Sequence, residues 1–288
     1  MKLVNWTSAA ALSIVMGIGG ATGAGAYDIA KVAQLPKGDP VRKLVILHWQ
    51  EVLLERIVKG VCYVDAGVEV ERNKQIVFAS RDVFERTLPD IVDEVKNLDP
   101  KSPLAKSLKR SIDKKQKHWF RFRVFFEKEL KDHAPEDSVL GQVALMEQGL
   151  VKTVERVYKA VRREAIKKGE VTLADTLQEQ SGFSRVFMAE TMVKEACMVS
   201  LGEGGSMERE KLREAVFTFE KVLDSDEKSI VAPKEVKALI PQWRELIPAL
   251  YAMADGKPAA PGILEKLDEL EHKWATASGE PEIGVGQS

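Results

Sequence analysis

The spacing of apolar residues between positions 172 and 223 restricts this part of the chain to α-helices. Seven positions before a glycine-rich turn at 202–205 follow one another in steps of four or three, which places them on one side of a helix. This side is apolar except near Ser181 and Arg185, so we expect the arginine to face a packing surface rather than solvent. The seven positions are Leu177, Ser181, Arg185, Met188, Met192, Ala196 and Val199.

The same helical spacing continues through the rest of the chain, between glycines and prolines that are typical of helix ends. No run of alternating β-branched residues occurs, so we predict no strands and an all-α fold of antiparallel helical bundles. Pro89 is expected to interrupt or kink one helix, and Pro241 with Pro248 to bend or split another. The eight predicted helices span about 41–66, 68–97, 103–132, 138–168, 172–201, 206–226, a segment from 233, and 261–278.

An internal repeat relates two parts of the chain at an offset of 135 residues. The segment VKGVCYVDAG at 58–67 matches VKEACMVSLG at 193–202, and the match runs without a gap over 31 positions to Leu88 and Leu223. Trp119 and Trp243 lie on the third helix of each part, at an offset of 124. Chance similarity between amphipathic helices is the alternative, but a gapless match that includes both cysteines favours duplication. We predict two tandem four-helix units, 41–169 and 170–278, packed as two bundles or as one fused bundle.

The first 26 residues have the pattern of a secretory signal peptide. Lys2 precedes an apolar run at 9–18, and Ala24-Gly25-Ala26 supplies the small residues of a cleavage site. The run is short for a membrane span, although a retained anchor is the alternative. We expect an extended lead-in at 27–40, a disordered tail at 279–288, and a periplasmic location.

The charge composition narrows the class of partner. The 43 lysines and arginines nearly balance the 44 aspartates and glutamates, which argues against nucleic acid or an anionic membrane as the main partner. The four histidines are scattered, so we predict no metal site and no cofactor. No carboxylate pair sits beside a histidine, serine or cysteine in an arrangement suited to catalysis, so we do not expect an enzyme.

The repeat places two cysteines, and likewise two lysines, at equivalent positions. Cys62 and Cys197 could meet near a pseudo-two-fold axis as a disulfide, or remain buried thiols, which is the interpretation that we favour. Lys59 and Lys194 are predicted on a solvated helix face.

The aromatic and basic stretch at 118–126 is predicted to pack inward. Trp119, Phe122 and Phe126 follow steps of three and four, which suits a core-facing helix. Phe120 and Phe125 would widen that apolar face toward a contact between the two bundles or between the subunits of a dimer. A surface for nucleic acid or another partner is the alternative.

The segment Ser181-Gly182-Phe183-Ser184-Arg185, followed by an apolar helix with Lys194-Glu195 and Gly202, resembles a known family. It looks like the PilJ-like N-terminal domain of type IV pili methyl-accepting chemotaxis transducers, over about residues 172–277. That domain is similar to the periplasmic four-helix sensor domain of nitrate-responsive histidine kinases. In those sensors the arginine of the motif [AS]-G-x-x-R binds the anion, with one arginine from each subunit of a dimer.

The resemblance implies that Arg185 is an anion ligand, with Ser181, Gly182 and Ser184 beside it. The family has a second arginine where this chain has Glu190. The repeat equivalent of Arg185 is Gln50, which can donate a hydrogen bond but carries no charge, so a site between the repeats would have half the usual positive charge.

A structural role is the alternative for Arg185. In that case its guanidinium would pair with a carboxylate such as Glu147, Glu155 or Glu190, or would reach the rim of the bundle.

We therefore expect an exported, stand-alone sensor-type domain that binds a small ligand, which could be an anion, or relays to a membrane receptor. Because no transmembrane or cytoplasmic signalling segment follows, a partner would have to read its state. The alternative is a structural or assembly protein of the cell envelope or pilus machinery, with no small-molecule ligand. An envelope protein and a second copy of the chain, forming a homodimer, are further expected partners.

Overall fold

Asp39 is the N-cap of the first described helix. Its Oδ1 accepts hydrogen bonds from the backbone N–H groups of Val41 at 2.8 Å and Arg42 at 3.0 Å. Pro40 follows in the first turn, where the helix does not need an amide hydrogen. This computed structural model describes residues 39–96, 103–132, 140–202, 205–230 and 232–278.

These ranges contain eight α-helices and no strand, so the predicted all-α class is confirmed. None of the eight is long and apolar enough to cross a membrane. The predicted signal peptide (1–26), the lead-in up to 38 and the predicted tail (279–288) lie outside the described residues. The helices are α1 (Pro40–Asp65), α2 (Val70–Lys96), α3 (Pro103–Asp132), α4 (Leu140–Lys168), α5 (Leu173–Ser200), α6 (Gly205–Lys228), α7 (Lys234–Ala254) and α8 (Ile263–Ala277).

Helix α7 continues through Pro241 and Pro248, and α2 continues through Pro89, so the expected split and the expected interruption are wrong. A bend or kink at these prolines stays a prediction. Both prolines of α7 are exposed, whereas Ile240, Trp243 and Leu250 are buried. Apolar packing on the buried side holds the helix together, and it offsets the backbone hydrogen bonds that the prolines remove.

The centre of the molecule is formed by α1 and α5. Every residue of α1 from 44 to 64 is buried, and so is every residue of α5 from 192 to 198. Contacts between the two helices join residues about 135 positions apart along their length, from His48 with Phe183 to Cys62 with Cys197. A constant separation of this kind means that the two helices run parallel. We predicted that one apolar stripe of 172–201 would be buried. The buried surface is wider than that stripe, because other helices pack around all sides of a central helix.

The outer helices surround this pair in two groups. Helices α2, α3 and α4 pack around α1, and α6, α7 and α8 pack around α5. One apolar core contains side chains from all eight helices. The two four-helix groups therefore share a core, and their origin by duplication stays a prediction.

Candidate functional site

Arg185, the predicted anion ligand, is bound by a carboxylate of the chain itself. Arg185 is 4% exposed, and Asp226 of α6 is equally buried. Arg185 Nε donates to both carboxylate oxygens of Asp226, at 2.9 and 2.8 Å, and Nη2 donates to Oδ1 at 2.8 Å. The structural partners that we expected, Glu147, Glu155 and Glu190, pair instead with Lys194, Lys159 and Lys59.

A second contact fixes the backbone at this point. The indole Nε1 of Trp274, on α8, donates to the backbone oxygen of Arg185 at 3.0 Å. Arg185 is therefore held from α6 through its side chain and from α8 through its carbonyl group.

Gln50, the repeat equivalent of Arg185, faces another part of the molecule. Its Nε2 donates to Thr87 Oγ1 at 3.0 Å and to Phe84 O at 3.4 Å, and both acceptors are on α2. Gln50 and Arg185 each contact the second helix of their own group, so the structure does not bring these two side chains together.

The other predicted ligand residues lie on α5. Ser184 is half-buried, next to Arg185 in the chain. Ser181 and Gly182 belong to the same helix, but their side chains are outside the described part of the structure.

Lys59 and Lys194, predicted on a solvated face, are each 2% exposed between the two central helices. Lys59 Nζ lies 2.8 Å from Glu190 Oε2, and Lys194 Nζ lies 2.7 Å from Glu55 Oε2. The prediction is wrong because it assumed an amphipathic helix with one solvent-exposed side. The polar side of each central helix faces the other central helix instead.

The pairing is crossed between the two repeats. Glu55 and Lys59 are four residues apart in α1, as are Glu190 and Lys194 in α5, and corresponding members differ by 135. Each lysine contacts the glutamate of the other helix. We call these four residues, together with His48, Cys62, Phe183 and Cys197, the α1–α5 seam.

An outer helix adds a further carboxylate to each lysine. Glu271 of α8 lies 2.6 Å from Lys59, and Glu147 of α4 lies 3.2 Å from Lys194. These two glutamates differ by 124 positions, which is the offset that also relates Trp119 to Trp243. The crossed arrangement therefore extends to the fourth helix of each group.

The two lysine environments differ in charge. Arg56 Nε donates to Glu190 Oε1 at 2.6 Å, so two cations face that carboxylate. The residue of α5 equivalent to Arg56 is Thr191, which brings no charge. Lys194 alone faces three carboxylates within 3.3 Å, those of Glu55, Glu147 and Glu195.

This excess of carboxylates around Lys194 favours proton uptake. Burial raises the pKa of Glu55 to about 8, and the neighbouring Glu147 carboxylate acts in the same direction, against the opposing effect of Lys194. Burial also raises the pKa of Glu195 to about 7. At neutral pH this part of the seam therefore retains a proton on Glu55.

Of the two carboxyl groups that contact Lys59, one has a lowered pKa and the other a raised pKa. Burial alone would raise the pKa of Glu190, but Lys59 and Arg56 outweigh it and lower that pKa to about 2. Burial and the adjacent Glu190 charge raise the pKa of Glu271 to about 8. At neutral pH Glu190 is therefore the ionised partner of Lys59, and Glu271 holds a proton.

Cys62 and Cys197 form a disulfide with Cα atoms 6.1 Å apart, so the expectation of two free thiols is wrong. Both cysteines are fully buried. They are equivalent positions on parallel helices, which brings their side chains together at the seam. The sequence contained this signal in the repeat, but two buried thiols at the same place would leave the same pattern.

Three aromatic rings close the other end of the seam. His48 stacks on Phe183 with ring centroids 3.6 Å apart, and on Tyr158 of α4 at 3.7 Å. His48 and Phe183 are again equivalent positions at the offset of 135. The seam is therefore closed by stacked rings at one end and by a disulfide at the other.

Sequence reasoning missed the glutamates of the seam. The signal was available, because LLERIVKG at 53–60 and MAETMVKE at 188–195 share the spacing Glu-x-x-x-Lys at the repeat offset. The core prediction for α3 is confirmed, since Trp119, Phe122 and Phe126 are buried. Phe120, which we expected to widen the apolar face, is 67% exposed.

Other features of the described residues are less specific. An open groove of about 310 Å³ lies between α2 and α3, beside Pro89 and Trp119. Four of its polar residues are paired with one another, because Trp119 Nε1 donates to Glu85 at 3.1 Å and Lys96 lies 3.1 Å from Asp93. Within the described ranges, no group of three or more histidines, cysteines or acidic residues could hold a metal ion.

These contacts define an all-α bundle whose two central helices are joined by a disulfide and by crossed, buried ion pairs. No family model, curated protein or solved structure matches the chain. The resemblance of residues 172–277 to the PilJ-like domain stays a prediction.

Proposed function

We propose that this chain is a non-catalytic structural or assembly protein of the cell envelope, which acts through its outer helices. The observation that carries the proposal is the pairing of Arg185 with Asp226. A small anion would have to displace this carboxylate and leave it buried without its partner. Removing one member of a buried ion pair costs about 3–5 kcal/mol, so binding of a weak anion such as nitrate would be opposed.

The α1–α5 seam supports the same function. A ligand sensor needs an element with two arrangements of similar free energy. The disulfide and the crossed Lys–Glu contacts favour one arrangement of the central helices. A fixed centre suits a scaffold that presents its outer helices to other molecules.

The location in the cell envelope has two supports. Residues 1–26 have the pattern of a signal peptide, and the Cys62–Cys197 disulfide is typical of proteins in oxidising compartments.

Anion sensing is the second candidate, and one observation favours it. Asp226 occupies Arg185 in the side-on manner in which a guanidinium binds any planar oxyanion. If an external oxyanion replaced Asp226, α6 would lose its ion pair with α5 near the end of the helix. That exchange would make the chain a sensor-type domain, as the resemblance to the PilJ-like family implies.

A thermal-shift panel of nitrate, phosphate, sulfate, organic acids and amino acids at about 10 mM separates the two candidates, because binding raises the melting temperature by mass action. The structural function predicts no shift in the wild-type chain. The variants are Arg185→Met, which removes the cation, and Asp226→Asn, which removes the internal anion.

The matched control is Asp224→Asn, because Asp224 is an exposed neighbour that pairs with Arg244 on the surface. A dose-dependent rise in wild type and in Asp224→Asn that disappears in Arg185→Met would contradict the structural function and support anion sensing. A rise that appears in Asp226→Asn alone would support the internal pairing as the reason for a flat wild-type response.

A further inference from the structure

The outward side of α3 is strongly basic, although the chain as a whole is nearly neutral. The helix carries ten lysines and arginines against four aspartates and glutamates, a formal charge of +6 in a chain whose total is −1. Seven of these cations have exposed side chains. They form what we call the basic face: Lys106, Lys109, Arg110, Lys117, Arg121, Lys128 and Lys131.

The geometry of a helix places these residues together. Steps of 3, 4, 7 and 11 residues return to the same side at 100° per residue. The face extends over about 38 Å from Lys106 to Lys131, at 1.5 Å per residue. Asp113 is the one exposed carboxylate among the described side chains of α3.

The cations of the basic face are not used by the fold. None of the seven is paired with a carboxylate in the part of the chain that the structure describes. Arg123, on the flank of the same helix, shows the contrast, because it pairs with Glu85 at 2.9 Å and Glu127 at 2.8 Å.

Two exposed apolar side chains lie within the basic face. Phe120 is 67% exposed and Val124 is 50% exposed, one helical turn apart. The inward side of the same helix is already filled by Trp119, Phe122 and Phe126, so Phe120 and Val124 are not needed for packing.

The third helix of the other group provides an internal comparison. Helix α7 buries Trp243 much as α3 buries Trp119. It nevertheless carries three cations, Lys234, Lys237 and Arg244, against two glutamates, a formal charge of +1. A basic surface is therefore not a requirement for a helix in this position.

We infer that the basic face of α3 docks on an anionic phospholipid bilayer, with Phe120 and Val124 entering the headgroup region. Exposed lysines and arginines are attracted to anionic headgroups, and an aromatic with an aliphatic neighbour adds apolar contact at the interface. A planar surface can meet all seven cations on one side of a helix at once. A nucleic-acid backbone would curve away from most of them, and Val124 offers no ring for base stacking.

This inference rests on the proposed function in taking the outer helices as the working part of the molecule. The two can fail separately. If no anion shifts the melting temperature and the chain does not bind vesicles, the docking surface alone is contradicted. If an anion raises the melting temperature through Arg185 and the chain still binds vesicles, the structural function alone is contradicted.

The test is flotation of the purified full-length chain with vesicles of phosphatidylglycerol and phosphatidylcholine, compared with pure phosphatidylcholine. We expect at least about tenfold stronger partition to the anionic vesicles at low salt, and its loss at about 0.5 M NaCl, where screening acts within a few ångströms. The charge reversal Lys117→Glu/Arg121→Glu should weaken partition at least about tenfold, and Phe120→Ser about threefold or more.

The matched control is Phe217→Ser/Lys221→Glu on α6. Phe217 is 53% exposed, with Lys221 Nζ 4.1 Å from its ring centroid, so the change is chemically similar but away from α3. Circular dichroism melting checks that every variant is folded. The inference is overturned if wild type does not float with anionic vesicles, if the α6 control weakens partition as much as the α3 variants, or if RNA or polyglutamate binds more tightly than the vesicles.

Discussion

Lys194 and Glu55 contact each other at 2.7 Å across the two central helices, in a site where one cation faces three carboxylates. The corresponding contact between Lys59 and Glu190 has Arg56 as a second cation. The two halves of the seam therefore have the same geometry but different charge, and this difference governs how they respond to mutation and to pH.

Removing the lysine should be more harmful on the α5 side. Lys194→Met leaves Glu55, Glu147 and Glu195 without a cation, and should lower the free energy of unfolding by about 3–5 kcal/mol at pH 8. Lys59→Met leaves Glu190 paired with Arg56, and should cost at least about 1 kcal/mol less. Urea denaturation measures both.

The surface variant Lys273→Met is the control, since Lys273 pairs with Glu269 on the exposed side of α8. It should unfold like wild type. Equal losses for Lys59→Met and Lys194→Met would show that Arg56 does not compensate.

The seam should make the protein less stable as pH rises. The pKa of Glu55 is about 8 in the folded state against 4.5 for an ordinary glutamate, so the folded state binds more protons between these values. The stabilisation is complete below pH 4.5 and is lost as pH rises through 8. Glu271 acts in the same direction. We expect the melting temperature to fall by several degrees, on the order of 5 °C, between pH 5 and pH 8.5.

Two variants assign this pH dependence. Glu55→Gln keeps the shape of the side chain without its titration, and should make the fall between pH 5 and pH 8.5 shallower, leaving the part that Glu271 contributes. Glu245→Gln changes an exposed glutamate of α7 and should leave the profile unchanged. Identical profiles for wild type and Glu55→Gln would contradict the assignment. Below pH 4.5 the direction reverses, because the pKa of Glu190 is lowered to about 2 and its stabilisation is lost as it becomes protonated.

The disulfide should contribute strongly to stability because it closes a long loop. Cys62 and Cys197 are 135 residues apart, and the chain-entropy model gives about 5 kcal/mol for a loop of this length. Cys62→Ala/Cys197→Ala should lower the free energy of unfolding toward that extent. Mass spectrometry with a thiol label, before and after reduction, is the control, and labelling without reduction would contradict the disulfide.

Gly60 allows the close approach of α1 and α2. A Cβ atom at this position would lie 2.5 Å from Val77 Cγ2 and 3.3 Å from the backbone oxygen of Asn73. Gly60→Ala should therefore destabilise the fold by about 1–3 kcal/mol.

Gly149 provides the matched control, because it lies within α4 with open space around the position of a Cβ atom. Gly149→Ala should stabilise by up to about 1 kcal/mol, through the higher helix propensity of alanine. If the two substitutions had the same effect, close packing at Gly60 would not be the cause.

The sequence was sufficient for the helices but not for the environment of their charges. Periodicity and helix-ending glycines predicted eight helices close to those observed, and the repeat offset identified Cys62 and Cys197 as equivalent. It did not show that α1 and α5 are central, so Lys59 and Lys194 were expected in solvent. Burial of a lysine depends on carboxylates from helices distant in the chain, such as Glu147 and Glu271, and no local pattern reports that arrangement.

Arg185 illustrates the same limit at the candidate site. Its burial followed from the apolar residues around it, and the structure agrees. Its partner, Asp226, lies near the end of the next helix, 41 residues away. This separation along the chain does not identify Asp226 as the partner of Arg185. The turn between α5 and α6 determines which residues of the two helices face each other.

The bond between Cys62 and Cys197 also determines what a single proteolytic cut can do. Any one cleavage between these residues leaves both fragments covalently joined, with α1 still attached to α5 through its last turns. The segments that connect α2, α3 and α4 all lie inside this loop. A nicked molecule would therefore migrate as one chain until it is reduced, and its core helices would stay at high local concentration, ready to reassociate.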